Sequence, residues 1–261
     1  MFLADFHIHS TFSDGKMAIP EIVDLYGERG FGAIAITDHL CENQSILGKA
    51  SAYLGCSLTP ATFPLYLEIL KSERERAWDQ YGMVLTAGVE LTQNSISNHR
   101  SAHIIALGID KYFPAQGDPV ELVKQIHDQN GIAIAAHPVW TRKIEKQSFL
   151  LWDRREELAQ VFDAWEVASG PYIFPKVRDS KVPKIASSDM HLKRQLTSWK
   201  TSFECERHER AIFDAIVKQE IGFRFYDGRI ENELAQPFRS SHLEHVDWRH
   251  NVGNLARAGA L

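Results

Sequence analysis

The chain has 261 residues, 44% of them hydrophobic and 24% charged, an ordinary globular balance that excludes wholesale disorder. Its 29 basic and 34 acidic side chains leave a net charge of −5, so a long nucleic-acid duplex is not an expected partner. The three cysteines, Cys41, Cys56 and Cys205, show no CxxC spacing, which points to a reduced, cytoplasmic setting and excludes a disulfide framework.

FLADFHIH (2–9) reads as the first strand. Its Asp5 and His7 fall where a signal peptide would need unbroken apolar residues, and nowhere does a run reach the ~18–20 apolar residues of a membrane span. IPEIVDLYGERG (19–30) is an amphipathic helix started by Pro20 and stopped at Gly30. AIAIT (33–37), MVLTAGVEL (83–91), AHIIALGI (102–109), IAIAAH (132–137), FDAWEVA (162–168) and VPKIASS (182–188) follow as strands. Helical patterns lie between them at about 119–130, 145–160 and 207–220.

Strands alternating with helices predict right-handed crossovers and a mostly parallel sheet, closed or nearly closed into a β/α barrel. Residues 41–82 exceed a simple connection, and their SERERAWDQYG portion is helical in pattern, which predicts a helical insertion or lid after the second strand. The domain is expected over 1–226, and 227–261, poor in apolar periodicity, as a polar C-terminal tail.

The chain carries 12 histidines, and the potential metal ligands gather where strands end. His7 and His9 close the first strand, on one side of the pleat. Asp14 sits in the turn after it. Asp38-His39 ends the second strand, Glu90 ends the third, His103 opens the next, His137 follows, and Asp189-Met190-His191 ends the last. In a β/α barrel that end builds the active face. A strand-end histidine alone is equally a hydrogen-bonded structural residue, and a strand-end carboxylate a helix cap. Six histidines and three carboxylates in one topological place are not expected from independent structural roles. Asp38 is read either as orienting the His39 ring or as a cap.

DFHIHSTFSDG (5–15), AITDH (35–39), GVEL (88–91), HIIALG (103–108), AAHP (135–138) and SSDMH (187–191), taken together, resemble the PHP (polymerase and histidinol phosphatase) family of metal-dependent phosphoesterases. The resemblance implies a distorted (β/α)7 barrel with two or three divalent ions. It implies one metal on His7, His9, Glu90 and Asp189, and a second on His103 and His137 with Glu90 as bridge. A third falls to Asp14, His39 and His191. The catalytic set is then His7, His9, Glu90, Asp189 and His191.

Imidazole and carboxylate donors without thiolate suit Zn, Mn or Fe. Three such ions bring a formal +6 against −3 from Asp14, Glu90 and Asp189, a local positive field that suits a phosphate ester. The expected activity is hydrolysis of a small phosphoester by a metal-bound hydroxide, the substrate being a nucleotide, a short oligonucleotide or a sugar or amino-alcohol phosphate. The alternatives are amidohydrolase-like attack on an uncharged bond, or a non-catalytic metal-stabilised interaction module. Arg142, Lys193 and Arg194 are candidates to bind phosphate, and Trp140, Trp165 and Tyr172 to line a pocket. His99, His127, His208, His242, His245 and His250 lie away from strand ends and are assigned no metal.

Overall fold

The structure, a computed structural model, describes residues 1–42, 55–139 and 149–228. Its elements, in chain order, are β1 (Phe2–Asp5), α1 (Ile19–Gly27), β2 (Ala33–Ile36), β3 (His39–Cys41), α2 (Phe63–Tyr81), β4 (Val84–Gln93) and β5 (Ala102–Leu107). There follow α3 (Pro119–His127), β6 (Ile132–Ala135), the short α4 (Leu150–Asp153) and α5 (Arg155–Leu158), β7 (Ala164–Ser169), β8 (Tyr172–Ile173) and α6 (Pro175–Arg178). β9 (Lys184–Ser187), β10 (Ser198–Phe203), α7 (Glu209–Val217) and β11 (Ile221–Tyr226) complete the described residues.

Local chemistry explains the helices. Pro20 lies in the first turn of α1, where Glu21 accepts from the Ala18 backbone N–H at 2.7 Å, and Ile19, Ile22, Val23 and Tyr26 form the buried face. Asp118 caps α3 by accepting from the Val120 N–H at 2.9 Å. α2 ends at Gly82, whose φ of +58° is a left-handed stop that glycine adopts without a Cβ clash.

The result is a mixed α/β fold with a strongly curled sheet. Its strand order is β11-β10-β1-β2-β4-β5-β6-β7-β8, with β3 against β4 and β9 against β7. The β1–β2, β2–β4, β6–β7 and β7–β9 pairs are parallel. The expectation of a mostly parallel sheet is corrected: the β1–β10, β10–β11 and β7–β8 pairs are antiparallel, and β5 runs antiparallel to both β4 and β6. The physical reason is the connection: β4 and β5 are joined through residues 94–101, which hold one three-residue 3₁₀ turn and no crossover helix.

The curl brings the segments that follow β1 and β9 together at one rim. Ile8 and Met190 form a parallel bridge, and the His9 N–H donates to the Met190 carbonyl at 2.8 Å. Lower down, β10 lies against β1, and Thr201 Oγ1 bonds the backbone of Ala186 on β9 at 3.1 Å and 2.8 Å.

The helix foreseen as an insertion or lid is α2, and it packs on the outside of the sheet against α1 and β4. Phe63, Tyr66, Leu70, Glu73 and Ala77 make its buried face, and Tyr66 donates from its hydroxyl to the carbonyls of Ile36 and Gly88 at 2.9 and 2.8 Å. It therefore occupies the crossover between β2 and β4. Residues 43–54 of the foreseen insertion lie outside the described residues, as do the 229–261 part of the tail, Arg142 and Trp140. Among the described residues, no helix is long and apolar enough to cross a membrane.

Candidate metal centre

All nine sequence-derived candidates meet at the rim that the Ile8–Met190 bridge closes. Glu90, at the buried middle of β4, is the hub. Its Oε1 lies 2.9 Å from His103 Nδ1, 3.2 Å from His137 Nε2 and 3.6 Å from His7 Nε2. Its Oε2 lies 2.8 Å from His39 Nδ1 and 3.6 Å from His9 Nε2. Asp189 Oδ1 stands 3.3 Å from the Nε2 atoms of both His7 and His9. Asp14 Oδ1 stands 3.2 Å from His191 Nε2, 3.7 Å from His39 Nε2 and 3.8 Å from His9 Nδ1.

Three overlapping groups place their donor atoms within 4.8 Å of one another: His9 with Asp14, His39 and His191; His7 with Glu90 and His137; and His7 with His9 and Asp189. His103 joins the second group through Glu90. These groupings share His7 and His9 more widely than the ligand sets implied by the sequence.

The donor chemistry fits divalent cations. His7 Nε2, both ring nitrogens of His9 and Glu90 Oε2 are buried and make no hydrogen bond among the described residues. Burying polar atoms without partners costs about 1–3 kcal/mol each, so four in one place point to a group that satisfies them together. Two of the nine residues also hold uncommon backbone: His137 has φ +26° and Asp189 φ +53°. Such conformations persist where the surroundings over-determine them, and they concentrate at functional sites.

Electrostatics sort the imidazoles. Burial pulls the pKa of His7 down, but Asp189, Glu166 and Glu90 more than offset it and raise it well above the ordinary histidine range. Burial, with His191 and His39 nearby, lowers His9 to about 3, so its ring is neutral. For His191 burial is outweighed by the hydrogen bond it donates to Asp14 and the charges of Asp189 and Asp14, which raise it to about 9. Asp14 falls to about 2 despite burial, held by His191 and His39. Burial also works against the Glu90 and Asp189 carboxylates, yet the surrounding imidazoles hold both well below the usual range.

The sequence reading missed the residues that aim the rings. Glu166, at the centre of β7, holds His7 Nδ1 at 2.9 Å, and its other oxygen accepts from the His137 N–H at 2.6 Å. Thr92 Oγ1 lies 2.8 Å from His39 Nδ1, and Asn94 Oδ1 3.2 Å from His103 Nε2. The available signal for Glu166 was a carboxylate inside the apolar strand AWEVAS. Asp38 neither orients His39 nor caps a helix. Its oxygens accept from Ser10 N–H at 2.8 Å and from the hydroxyls of Ser10 and Ser13, each at 2.5 Å. It thus fixes the loop that carries His9 and Asp14. Gly15 on that loop is obligatory, because a Cβ there would fall 2.2 Å from the His9 carbonyl oxygen.

Of the peripheral candidates, Arg194 lines a cleft beside Asp189 and His191, and so does Tyr172. Lys193 is exposed and outside the cleft lining. Trp165 is fully buried in the core, packed on Phe162 and Trp152, and lines no pocket described. His99 and His127 pair with Asp153 and Asp163 away from the cluster, and His208 caps α7.

Residues 5–112 match the PHP domain family. Over that stretch the chain is similar to a PHP domain. Six of the nine cluster residues, from His7 to His103, fall inside the matched PHP segment, and His137, Asp189 and His191 are brought to it by the fold. A two-domain protein from Bacteroides vulgatus, containing a predicted PHP-like metal-dependent phosphoesterase, aligns with a TM-score of 0.64 at 21% identity over 86% of this chain. The chain spans 65% of that structure's length. Two others align less closely, both with a TM-score of 0.46. One, from Bifidobacterium adolescentis and assigned as a metal-dependent phosphoesterase, is 15% identical over 73% of this chain and 88% of its own. The other, an amidohydrolase from Chromobacterium violaceum with bound sulfate and no metal, is 17% identical over 72% of this chain and 87% of its own. No curated protein matches the chain.

Proposed function

We propose that the protein is a metal-dependent hydrolase of small phosphoesters that holds two or three divalent cations on His7, His9, Asp14, His39, Glu90, His103, His137, Asp189 and His191. The observation that carries this reading is the set of buried, unbonded atoms, His7 Nε2, His9 Nδ1, His9 Nε2 and Glu90 Oε2, where three ligand-spaced groups overlap. Zn, Mn or Fe suits the nitrogen and oxygen donors. When bound, such cations stabilise charge on phosphoryl oxygens and lower the pKa of water.

The rest is done by the chain. Glu166 occupies the Nδ1 atom of His7, which leaves its Nε2 atom directed to the cluster, and Thr92 stands beside Nδ1 of His39. Asp38 holds the 9–14 loop so that Asp14 faces His191. Arg194, which lines the cleft beside Asp189 and His191, is the residue to bind the substrate's phosphate. In this reading the curled sheet is the distorted (β/α)7 barrel, its seven strands being β1, β2, β4, β5, β6, β7 and β9. The setting is cytoplasmic.

The test is hydrolysis by the manganese-loaded protein of p-nitrophenyl phosphate against p-nitrophenyl acetate, followed by a panel of phosphorylated metabolites. Turnover of the phosphate alone is expected. Turnover of the acetate alone would replace this reading with attack on an uncharged bond, and no turnover on the whole panel with a non-catalytic module.

A further inference from the structure

Lys200, on β10, is fully buried, a rare place for an ammonium unless it is paired. It belongs to none of the ligand groups of the metal centre. Its Nζ donates to Asp5 Oδ2 at 2.6 Å and to Ser198 Oγ at 2.7 Å. These two contacts begin two separate chains of hydrogen bonds, and both end on the segment that carries Asp189 and His191.

The first chain passes through Asp5. Its Oδ1 accepts from the Ser188 N–H at 2.9 Å, while Oδ2 also accepts from the Tyr26 hydroxyl at 2.7 Å. The Ser188 hydroxyl and the Met190 N–H both donate to the His7 carbonyl, each at 3.2 Å. Between them stands Asp189, with its left-handed φ of +53°. A residue with a Cβ keeps such backbone only where its neighbours over-determine it, and here Ser188 and Met190 are fixed on either side.

The second chain passes through Ser198. Its oxygen accepts from Lys200, so its hydroxyl proton is turned away, to the Gln195 carbonyl at 2.9 Å. The Gln195 side-chain oxygen then accepts from the N–H groups of His191 and Leu192, at 2.8 and 2.7 Å. His191 Nδ1 donates to the Asp189 carbonyl at 3.0 Å, which leaves Nε2 facing Asp14 at 3.2 Å.

Stability alone is a poor reason for a buried ion pair, since apolar residues of similar volume hold a fold as well or better. A satisfied polar network does what apolar packing cannot: it fixes directions. We infer that Lys200 is a positioning residue of the metal centre, whose one ammonium sets Asp189 through Asp5 and Ser188 and sets His191 through Ser198 and Gln195. Asp189 and His191 fall in different ligand groups that share His9, so Lys200 keeps two groups in register with each other. The inference rests on the reading of those groups as cation sites.

The test titrates cobalt into the metal-stripped protein and follows the visible d–d absorption, which reports ligand number and geometry, with urea unfolding measured beside it. Wild type should bind cobalt with a defined spectrum. The double variant Lys200→Met, Asp5→Asn removes the common anchor without leaving a buried charge. It should keep the wild-type circular dichroism, shift the d–d bands and bind cobalt about tenfold more weakly, the lower end of what a partner behind a ligand contributes. Ser198→Ala cuts only the arm to His191, so one class of cobalt site should weaken while the rest keep wild-type affinity. A lowered urea midpoint with wild-type affinity and spectrum in the double variant would make Lys200 purely structural and overturn the proposal. So would equal weakening of every site in Ser198→Ala. A wild-type protein that takes up no cobalt would instead remove the cation reading itself, and the proposal with it.

Discussion

The Oε1 atom of Glu166 lies 2.9 Å from Nδ1 of His7, and both side chains are fully buried. That contact fixes the ring so that Nε2 faces Asp189 and Glu90, at 3.3 and 3.6 Å. A carboxylate behind a metal-ligating histidine typically accounts for about 10–100-fold in metal affinity. Glu166→Gln keeps the shape and removes the charge, so metal dissociation constants should rise by about that factor while the circular dichroism spectrum stays unchanged. A metal titration with wild-type affinity would show that Glu166 only fills space.

Glu90 is approached by five imidazoles, those of His7, His9, His39, His103 and His137, all within 3.6 Å. A carboxylate placed so centrally serves more than one cation. Glu90→Gln should therefore lose more than one ion per chain. Elemental analysis of dialysed protein gives the count, and a loss of a single ion would leave Glu90 as an ordinary terminal ligand.

His9→Ala and Asp189→Ala each remove a member of the innermost group while leaving the Ile8–Met190 closure, a backbone contact, in place. Both variants should fold and both should lose turnover. Retention of wild-type phosphatase activity after metal stripping and manganese addition would exclude the residue concerned from the ligand set.

Protons compete with metal for His191. Its folded pKa of about 9 is above the unfolded value of about 6.5. The stability it gives the metal-free protein is thus fully present below about pH 6.5 and lost as pH rises through about 9. A cation that takes His191 Nε2 must displace the proton, so metal uptake at pH 7–8 should release protons and tighten as pH rises. Calorimetric titrations in buffers of different ionisation enthalpy measure the release, and identical enthalpies in all buffers would contradict it.

The nine candidate ligands were legible because their residue types, at strand ends, have few other reasons to cluster. Glu166 was hidden by lying mid-strand, where β7 reads as apolar, and Asp38 was misread because its partners, Ser10 and Ser13, are distant in sequence. The helix Phe63–Tyr81 resembled a lid because its polar outer face outweighs a buried stripe with only five members. β10 went unseen for a related reason. The sequence SWKTSF carries Ser198, Lys200, Thr201 and Ser202, all buried, where polar residues ordinarily signal a loop. Tertiary partners, absent from any local window, override that signal.

Lys200 is the sharpest instance, a lysine with no exposure at all. Its Nζ donates to Asp5 Oδ2 at 2.6 Å and to Ser198 Oγ at 2.7 Å, and the same Asp5 accepts from the Tyr26 hydroxyl and the Ser188 N–H. Asp5 thereby links β1, which leads into His7 and His9, to the residue just before Asp189. Lys200→Met leaves the Asp5 charge buried with only neutral donors, a change that costs about 3–5 kcal/mol when a buried pair loses one partner. The double variant Lys200→Met, Asp5→Asn removes both charges and should recover a large part of that stability. Urea unfolding of the metal-free proteins measures both. Equal stability of Lys200→Met and wild type would show that the buried charge of Asp5 is compensated by its neutral donors alone.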